Sequence, residues 1–110
     1  ISYNPGYAEA NYSLGITYQN QGKLEEALKC FLNVAQIKPD FAEIHNNISI
    51  IFYELDNFDL ALQHLNCALS IDPNFAEAHY NLGNLFKDLG KFEKAIRSYK
   101  MDMLFKCKAT

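Results

Sequence analysis

The side chains here that could do chemistry are three histidines and three cysteines in a chain of 110 residues. Imidazole and thiolate bind zinc and serve as catalytic bases and nucleophiles. Their spacing argues against both uses. His45 and His79 stand 34 positions apart, and no carboxylate or cysteine recurs beside them at an interval that completes a coordination sphere. Packing of the imidazole is the better reading, with His64 expected at the surface. Cys30, Cys67 and Cys107 are odd in number, and no pair has C-x-x-C spacing. Neither a disulfide framework nor a zinc site is expected. There is no G-x-S-x-G elbow and no H-E-x-x-H, and Gly83 and Gly90 are too isolated to cradle phosphate. The chain is therefore read as no enzyme, with no catalytic residue, metal or cofactor.

What remains is hydrogen-bonding chemistry. Ser13, Asn47 and Asn81 recur every 34 residues. An Asn amide both donates and accepts, so it can pair with a peptide backbone largely regardless of sequence. Tyr12, Asn46 and Tyr80 stand beside this column, with Tyr53, Asn84 and Lys87 one turn on. A second column, Glu9, Glu43 and Glu77, could line a groove as an acidic stripe. Each Glu falls in the first turn of an expected helix, however, and a capping role is favoured.

The elements that must position these columns follow from the same period. Pro5, Pro39 and Pro73 are the only prolines, each 34 residues from the next. Aligned on them, Leu14, Ile48 and Leu82 coincide, as do Gly15, Ser49 and Gly83. Tyr18, Phe52 and Phe86 fall together, then Ala27, Ala61 and Ala95, then Phe31, Leu65 and Tyr99. Apolar spacing within each unit predicts two amphipathic helices. First helices are expected near 7–20, 41–54 and 75–88, and second helices near 23–37, 57–71 and 91–106. Asp40 and Asn74 are placed as N-caps, with Glu43 and Glu77 completing capping boxes. Gly22, Asp56 and Gly90 fall at the hairpin turn, where a left-handed residue is wanted. The small Gly15 and Ala27 columns mark close approach of helices.

This pattern resembles the tetratricopeptide repeat family. Its Leu-Gly, aromatic, Ala, aromatic and Pro columns appear as Leu14-Gly15, Tyr18, Ala27, Phe31 and Pro39. The middle unit carries Ile48-Ser49, Phe52, Ala61, Leu65 and Pro73, and the third carries Leu82-Gly83, Phe86, Ala95 and Tyr99. Asn11, His45 and His79 stand where the family has Trp. The resemblance implies an all-α, right-handed α-solenoid of antiparallel helix pairs with about three repeats. Residues 1–7 would be the tail of an upstream repeat, followed by repeats at 8–41, 42–75 and 76–110. The last is degenerate, with Asp102 in a small apolar column and Cys107 in place of the proline.

The implied function is a protein–protein interaction scaffold that binds an extended peptide on the concave face of the first helices. Asn47 and Asn81, with Ser13, Tyr12, Asn46, Tyr80, Asn84, Tyr53 and Lys87, are the candidate contacts. At about 1 kcal/mol per contact, three repeats would bind weakly, on the order of micromolar. The Asn ladder also looks like the substrate-recognition arm of O-linked N-acetylglucosamine transferases, with Asn47 and Asn81 carried over and Ser13 breaking the ladder. Relatives that clamp acidic chaperone tails use Lys and Arg on the first helices. Tyr12, Ser13, Glu77 and Asn81 occupy such places here, so no tight binding of those tails is expected.

Composition narrows the partners. Ten basic against thirteen acidic residues give −3, with no basic run. Nucleic acid and anionic membrane are thereby poor partners, and no apolar run is long enough to span a bilayer. Unpaired thiols suit a reducing, intracellular and cytoplasmic setting. No leader is visible, and the chain reads as a fragment beginning at Ile1. An uncapped third repeat would expose Leu85, Leu89, Ile96 and Tyr99, favouring a homo-oligomer through open ends.

Overall fold

The computed structural model describes residues 5–109. Six helices and no strands run through the described residues. They are α1 (Pro5–Asn20), α2 (Leu24–Ile37), α3 (Ala42–Glu54), α4 (Phe58–Ile71), α5 (Ala76–Asp88) and α6 (Phe92–Ala109). Five of the six fall within a residue or two of expectation at their starts and ends. The sixth, α6, runs past the expected end at 106. Residues 1–4 of the expected upstream tail lie outside the described residues. α1 begins at Pro5, a residue suited to the first helical turn because its missing N–H has no intrahelical partner there.

The hairpin turns are built alike. Gly22 has φ 78°, Asp56 61° and Gly90 77°. At each, two amides close back on the preceding helix. Gly22 N–H reaches Gln19 O at 3.0 Å, and Lys23 N–H reaches Tyr18 O at 2.9 Å. The same pair recurs from Asp56 and Asn57, and again from Gly90 and Lys91. This is the Schellman arrangement, which satisfies the carbonyls a helix C-terminus leaves open.

The expected capping boxes do not form. Phe41 and Phe75, not Asp40 and Asn74, are the N-caps of α3 and α5, and neither helix has a side-chain cap. The ring of each Phe packs onto the core, and this burial sets where the helix starts. Glu43 is turned to Tyr12 instead, whose hydroxyl donates to its carboxylate at 3.0 Å. Asn57 is the residue that does cap with its side chain, accepting from Leu60 N–H at 3.3 Å.

Helices pair as α1–α2, α3–α4 and α5–α6, and the second helix of each pair rests on the first helix of the next. The core has two clusters. Ala27, Phe31, Val34, Ile44, Ile48 and Ile51 join α2 to α3. Ala61, Leu65, Ala68, Ala78, Leu82 and Leu85 join α4 to α5. Every member of the second cluster is 34 positions beyond a member of the first. The core is thus an interface between pairs, and no pair can bury its apolar face alone. α3 and α5 also touch directly, whereas no two second helices make a comparable contact. The stack therefore curves with its first helices inside. The result is an α-solenoid of antiparallel helix pairs, 45 × 30 × 22 Å.

Two end-face expectations are revised. Leu85 is fully buried, because α4 covers it as α2 covers Ile51. Tyr99 is half-buried under α5. Leu89 and Ile96 are exposed, joined by Phe92, Met103 and Leu104. Asp102, in the column of Val34 and Ala68, is buried. Lys106 Nζ approaches its Oδ1 at 3.2 Å without hydrogen-bond geometry.

Candidate functional site

The inner wall is made by α1, α3 and α5, and three of its side-chain hydrogen bonds link neighbouring first helices at an offset of 35 residues, beside the Tyr12–Glu43 bond at 31. Asn47 Nδ2 donates to Tyr12 Oη at 2.9 Å. Asn81 Nδ2 donates to Asn46 Oδ1 at 2.9 Å. The Tyr53 hydroxyl donates to the Asp88 carboxylate. The offset exceeds the 34-residue period by one because adjacent first helices are side by side, and the facing positions are one residue out of register.

Ser13 is exposed, and its carbonyl accepts from the Thr17 hydroxyl at 2.9 Å. Asn47 and Asn81 are half-buried, each with Nδ2 engaged and Oδ1 left as an acceptor. Asn46 is wholly buried, so it can reach a ligand only through Asn81. Its own Nδ2 has no hydrogen-bond partner. Tyr12 is half-buried between Phe31 and Phe41. Burial raises the pKa of its phenol, the Asn47 donor opposes this, and the Glu43 acceptor adds to it. The Tyr53 phenol is pushed up to about 12, chiefly because Asp88 holds its proton, with burial adding. Tyr80 is exposed, with Lys106 Nζ 5.4 Å from its ring centre. Asn84 accepts from the Tyr99 hydroxyl at 2.5 Å, and Lys87 is exposed.

A cleft of about 240 Å³ opens in this wall between α3 and α5. Ala61, Leu65 and Leu85 form its floor, and Ser49, Ile50, Tyr53, Glu54, Asn81 and Asn84 surround it. Of the expected contacts, the cleft brings together Tyr53, Asn81 and Asn84. Sequence reading did not find its floor. The signal was present, since Leu65 breaks the aromatic column of Phe31 and Tyr99.

The histidines pack as expected in one respect and differ in another. His45 Nε2 lies 2.9 Å from Pro39 O, and His79 Nε2 lies 2.8 Å from Pro73 O. A carbonyl only accepts, so Nε2 carries the proton in both. Each imidazole thereby ties a first helix to the proline turn before it. His64 is not a surface residue. It is half-buried, stacked on His45 and Phe52, with its Nδ1 3.3 Å from His45 Nδ1. Desolvation, then the neighbouring His45, lower its pKa. Among the described residues, no three of His, Cys, Asp and Glu gather as a metal site. No disulfide joins the cysteines, and burial raises the pKa of the Cys30 thiol. No helix among the described residues is long and apolar enough to cross a membrane.

The fold defines a helical-hairpin repeat protein. Comparison with known families agrees. Residues 8–41 and 78–104 match models described as tetratricopeptide repeat, and residues 50–90 match one described as TPR repeat. The chain carries tetratricopeptide repeats. No curated protein sequence matches it. Among solved structures, "Crystal structure of MamA" superposes with a TM-score of 0.85 at 20% identity, covering 93% of this chain and 60% of that one. The chain thus spans about three fifths of that protein's length. The first TPR of Spaghetti (RPAP3), bound to the HSP90 peptide SRMEEVD, superposes at 0.87 with 23% identity. It covers 96% of this chain and 83% of that one. The second TPR of the same protein, with the same peptide, superposes at 0.85 and 19%. At such identities the likeness establishes the fold alone.

Proposed function

We propose that the chain is a protein-binding scaffold that holds an extended peptide along the inner wall of α1, α3 and α5, and does no chemistry itself. The observation carrying this reading is the side-chain ladder at 35-residue offset. It fixes Asn47 and Asn81 at adjacent rungs, each with an acceptor oxygen left over for a ligand amide. The MamA and RPAP3 structures lend general support, since the latter holds a peptide on the same fold. Their ligand does not transfer. Glu43, Glu54, Glu77 and Asp88 stand on the first helices here. That charge disfavours an acidic segment and favours a neutral or basic one.

The test is capture of partners or library peptides by the chain and by surface variants. Asn47→Ala on the inner wall is expected to weaken capture, and Lys29→Glu on α2 to leave it unchanged. Equal loss from both faces would remove the reading. The same wall could serve as the recognition arm of a larger glycosyltransferase. What is joined to the chain distinguishes that case, and a full-length sequence without a transferase domain would end it.

A second reading, self-assembly, rests on matched end faces. Ile44, Ile48 and Ile51 are fully buried against α2, but the corresponding Ala10, Leu14 and Thr17 on α1 are exposed. Leu24, Leu28 and Ala35 are half-buried under α3, but the corresponding Phe92, Ile96 and Met103 on α6 are exposed. A second copy could therefore dock α1 on α6 in the register already used inside the chain, a head-to-tail contact. Leu14→Asp and Ile96→Asp proteins would each be monomers and would pair when mixed. A wild-type monomer at high concentration would exclude this reading.

A further inference from the structure

The middle helix pair lacks two rings that the flanking pairs share. In the first pair Tyr12 on α1 meets Phe31 on α2, ring centres 5.9 Å apart. In the third, Tyr80 on α5 meets Tyr99 on α6, also at 5.9 Å. The corresponding residues on α3 and α4 are Asn46 and Leu65.

The glycine column shows where those rings lie. A Cβ on Gly15 would stand 2.5 Å from Phe31 Cε1, and one on Gly83 would stand 2.7 Å from Tyr99. Each ring therefore occupies the space above its glycine. Tyr99 reaches far enough for its hydroxyl to meet Asn84. In the middle pair Ser49 replaces the glycine, Leu65 replaces the ring, and Ile50 is the counterpart of Asn84. Ser49, Ile50 and Leu65 instead line the cleft of about 240 Å³, open to the inner wall.

We propose that this cleft is an anchor pocket for one aromatic side chain of a bound peptide, entering from the inner wall over Leu65 and beside Ser49, whose own side chain takes the space above the glycines of the flanking pairs. The inference rests on the inner-wall reading above and names the ligand feature selected there. Three observations support an aromatic occupant. A closed cavity of about 150 Å³ accepts benzene, so the space suffices for a phenyl ring. The floor of Ala61, Leu65 and Leu85 is aliphatic and fully or almost fully buried. The rim carries Asn81 Oδ1, an acceptor with no partner among the described residues, within reach of the amides that flank an anchored side chain. Tyr53 stands at the mouth, 5.6 Å from the Phe58 ring, and offers an aromatic edge.

The test is nuclear magnetic resonance titration of the intact chain with two blocked tripeptides, N-acetyl-Ala-Phe-Ala-amide and its all-alanine counterpart. The Phe peptide is expected to bind with a dissociation constant of about 1 mM and to shift Leu65, Ser49 and Asn81. The alanine peptide should bind roughly tenfold more weakly or not at all. Ser49→Gly with Leu65→Phe recreates the glycine-and-ring pairing of Gly15 and Phe31, so it should fold and fill the cleft from within. Ile50→Phe fills it from the half-exposed rim and demands no core repacking. Both are expected to weaken the Phe peptide roughly tenfold. Equal binding of the two peptides, shifts centred elsewhere, undiminished binding by the filled proteins, or no shift at about 10 mM would each overturn the pocket. The two proposals separate cleanly. If Asn47→Ala weakens partner capture while the filled proteins capture normally, the pocket falls and the inner-wall reading stands. If the Phe peptide enters the cleft but inner-wall variants capture normally, the reverse holds.

Discussion

Asn81 donates from Nδ2 to Oδ1 of the wholly buried Asn46 at 2.9 Å, bolting α5 to α3 from the inside of the curve. Asn46 has no other hydrogen bond from its side chain, since its Nδ2 is unpartnered. Asn81→Ala would leave a buried amide with neither group satisfied, at a cost of about 1–3 kcal/mol. Asn47→Ala is a milder change, because Tyr12 keeps its bond to Glu43. It should cost about 0.5–1.5 kcal/mol. Urea unfolding of both proteins checks this ordering, and equal losses would show that Asn81 is not structural. The ordering also explains why Asn47→Ala, not Asn81→Ala, is the cleaner probe of binding.

The glycines at Gly15 and Gly83 hold rings, and an added methyl has nowhere to go. Phe31 is fully buried and cannot retreat, while Tyr99 is half-buried and can shift a little. Gly15→Ala is expected to lose roughly 1–3 kcal/mol, and Gly83→Ala towards the lower end of that range. Thermal melts of the two proteins would show it. A neutral Gly15→Ala would mean that the ring does not lie over the glycine.

Asp56 is the exception in a turn that otherwise uses glycine, holding φ 61° with a side chain. The left-handed conformation disfavours any Cβ by about 1 kcal/mol, somewhat less for Asp. Asp56→Gly should therefore raise the denaturation midpoint, and Gly90→Asp should lower it by a similar amount. An unchanged midpoint in both would show that the turn is not strained.

His64 makes stability depend on pH near neutrality. Its pKa in the fold is lowered from the ordinary 6.5 by desolvation and by His45, the titratable group stacked on it. The unfolded chain then binds more protons than the native one, so stability rises with pH across this window. The contribution is complete above the unfolded imidazole value and declines as pH falls below it. Urea midpoints should drop between about pH 7 and pH 5.5, and His64→Ser, matching the buried Ser98 of the third pair, should flatten that slope. An equally steep slope in the variant would exclude His64 as the source.

Much of the architecture was legible in the sequence, because a 34-residue period repeats both helix faces in phase. The prolines, the Leu14, Ala27 and Phe31 columns and the left-handed turn at Asp56 needed only local rules of helix formation and chain reversal. So did the concentration of polar residues on the first helices. Other features depended on what packs against what. Phe41 and Phe75 start their helices by burying rings, which overrode the side-chain caps expected at Asp40 and Asn74. His64 looked like a surface residue until α3 brought His45 over it.

The period alone determined that three helix pairs stack side by side, since each apolar face must find the next pair to escape water. Tertiary structure decided how neighbours mesh on the inner wall. The facing register of 35 residues arises only when first helices lie against each other. That offset assigns Asn46 to the interior, Asn81 to its support, and the space left by Leu65 to the surface, because hydrogen bonds and ring volumes act between helices and not along one.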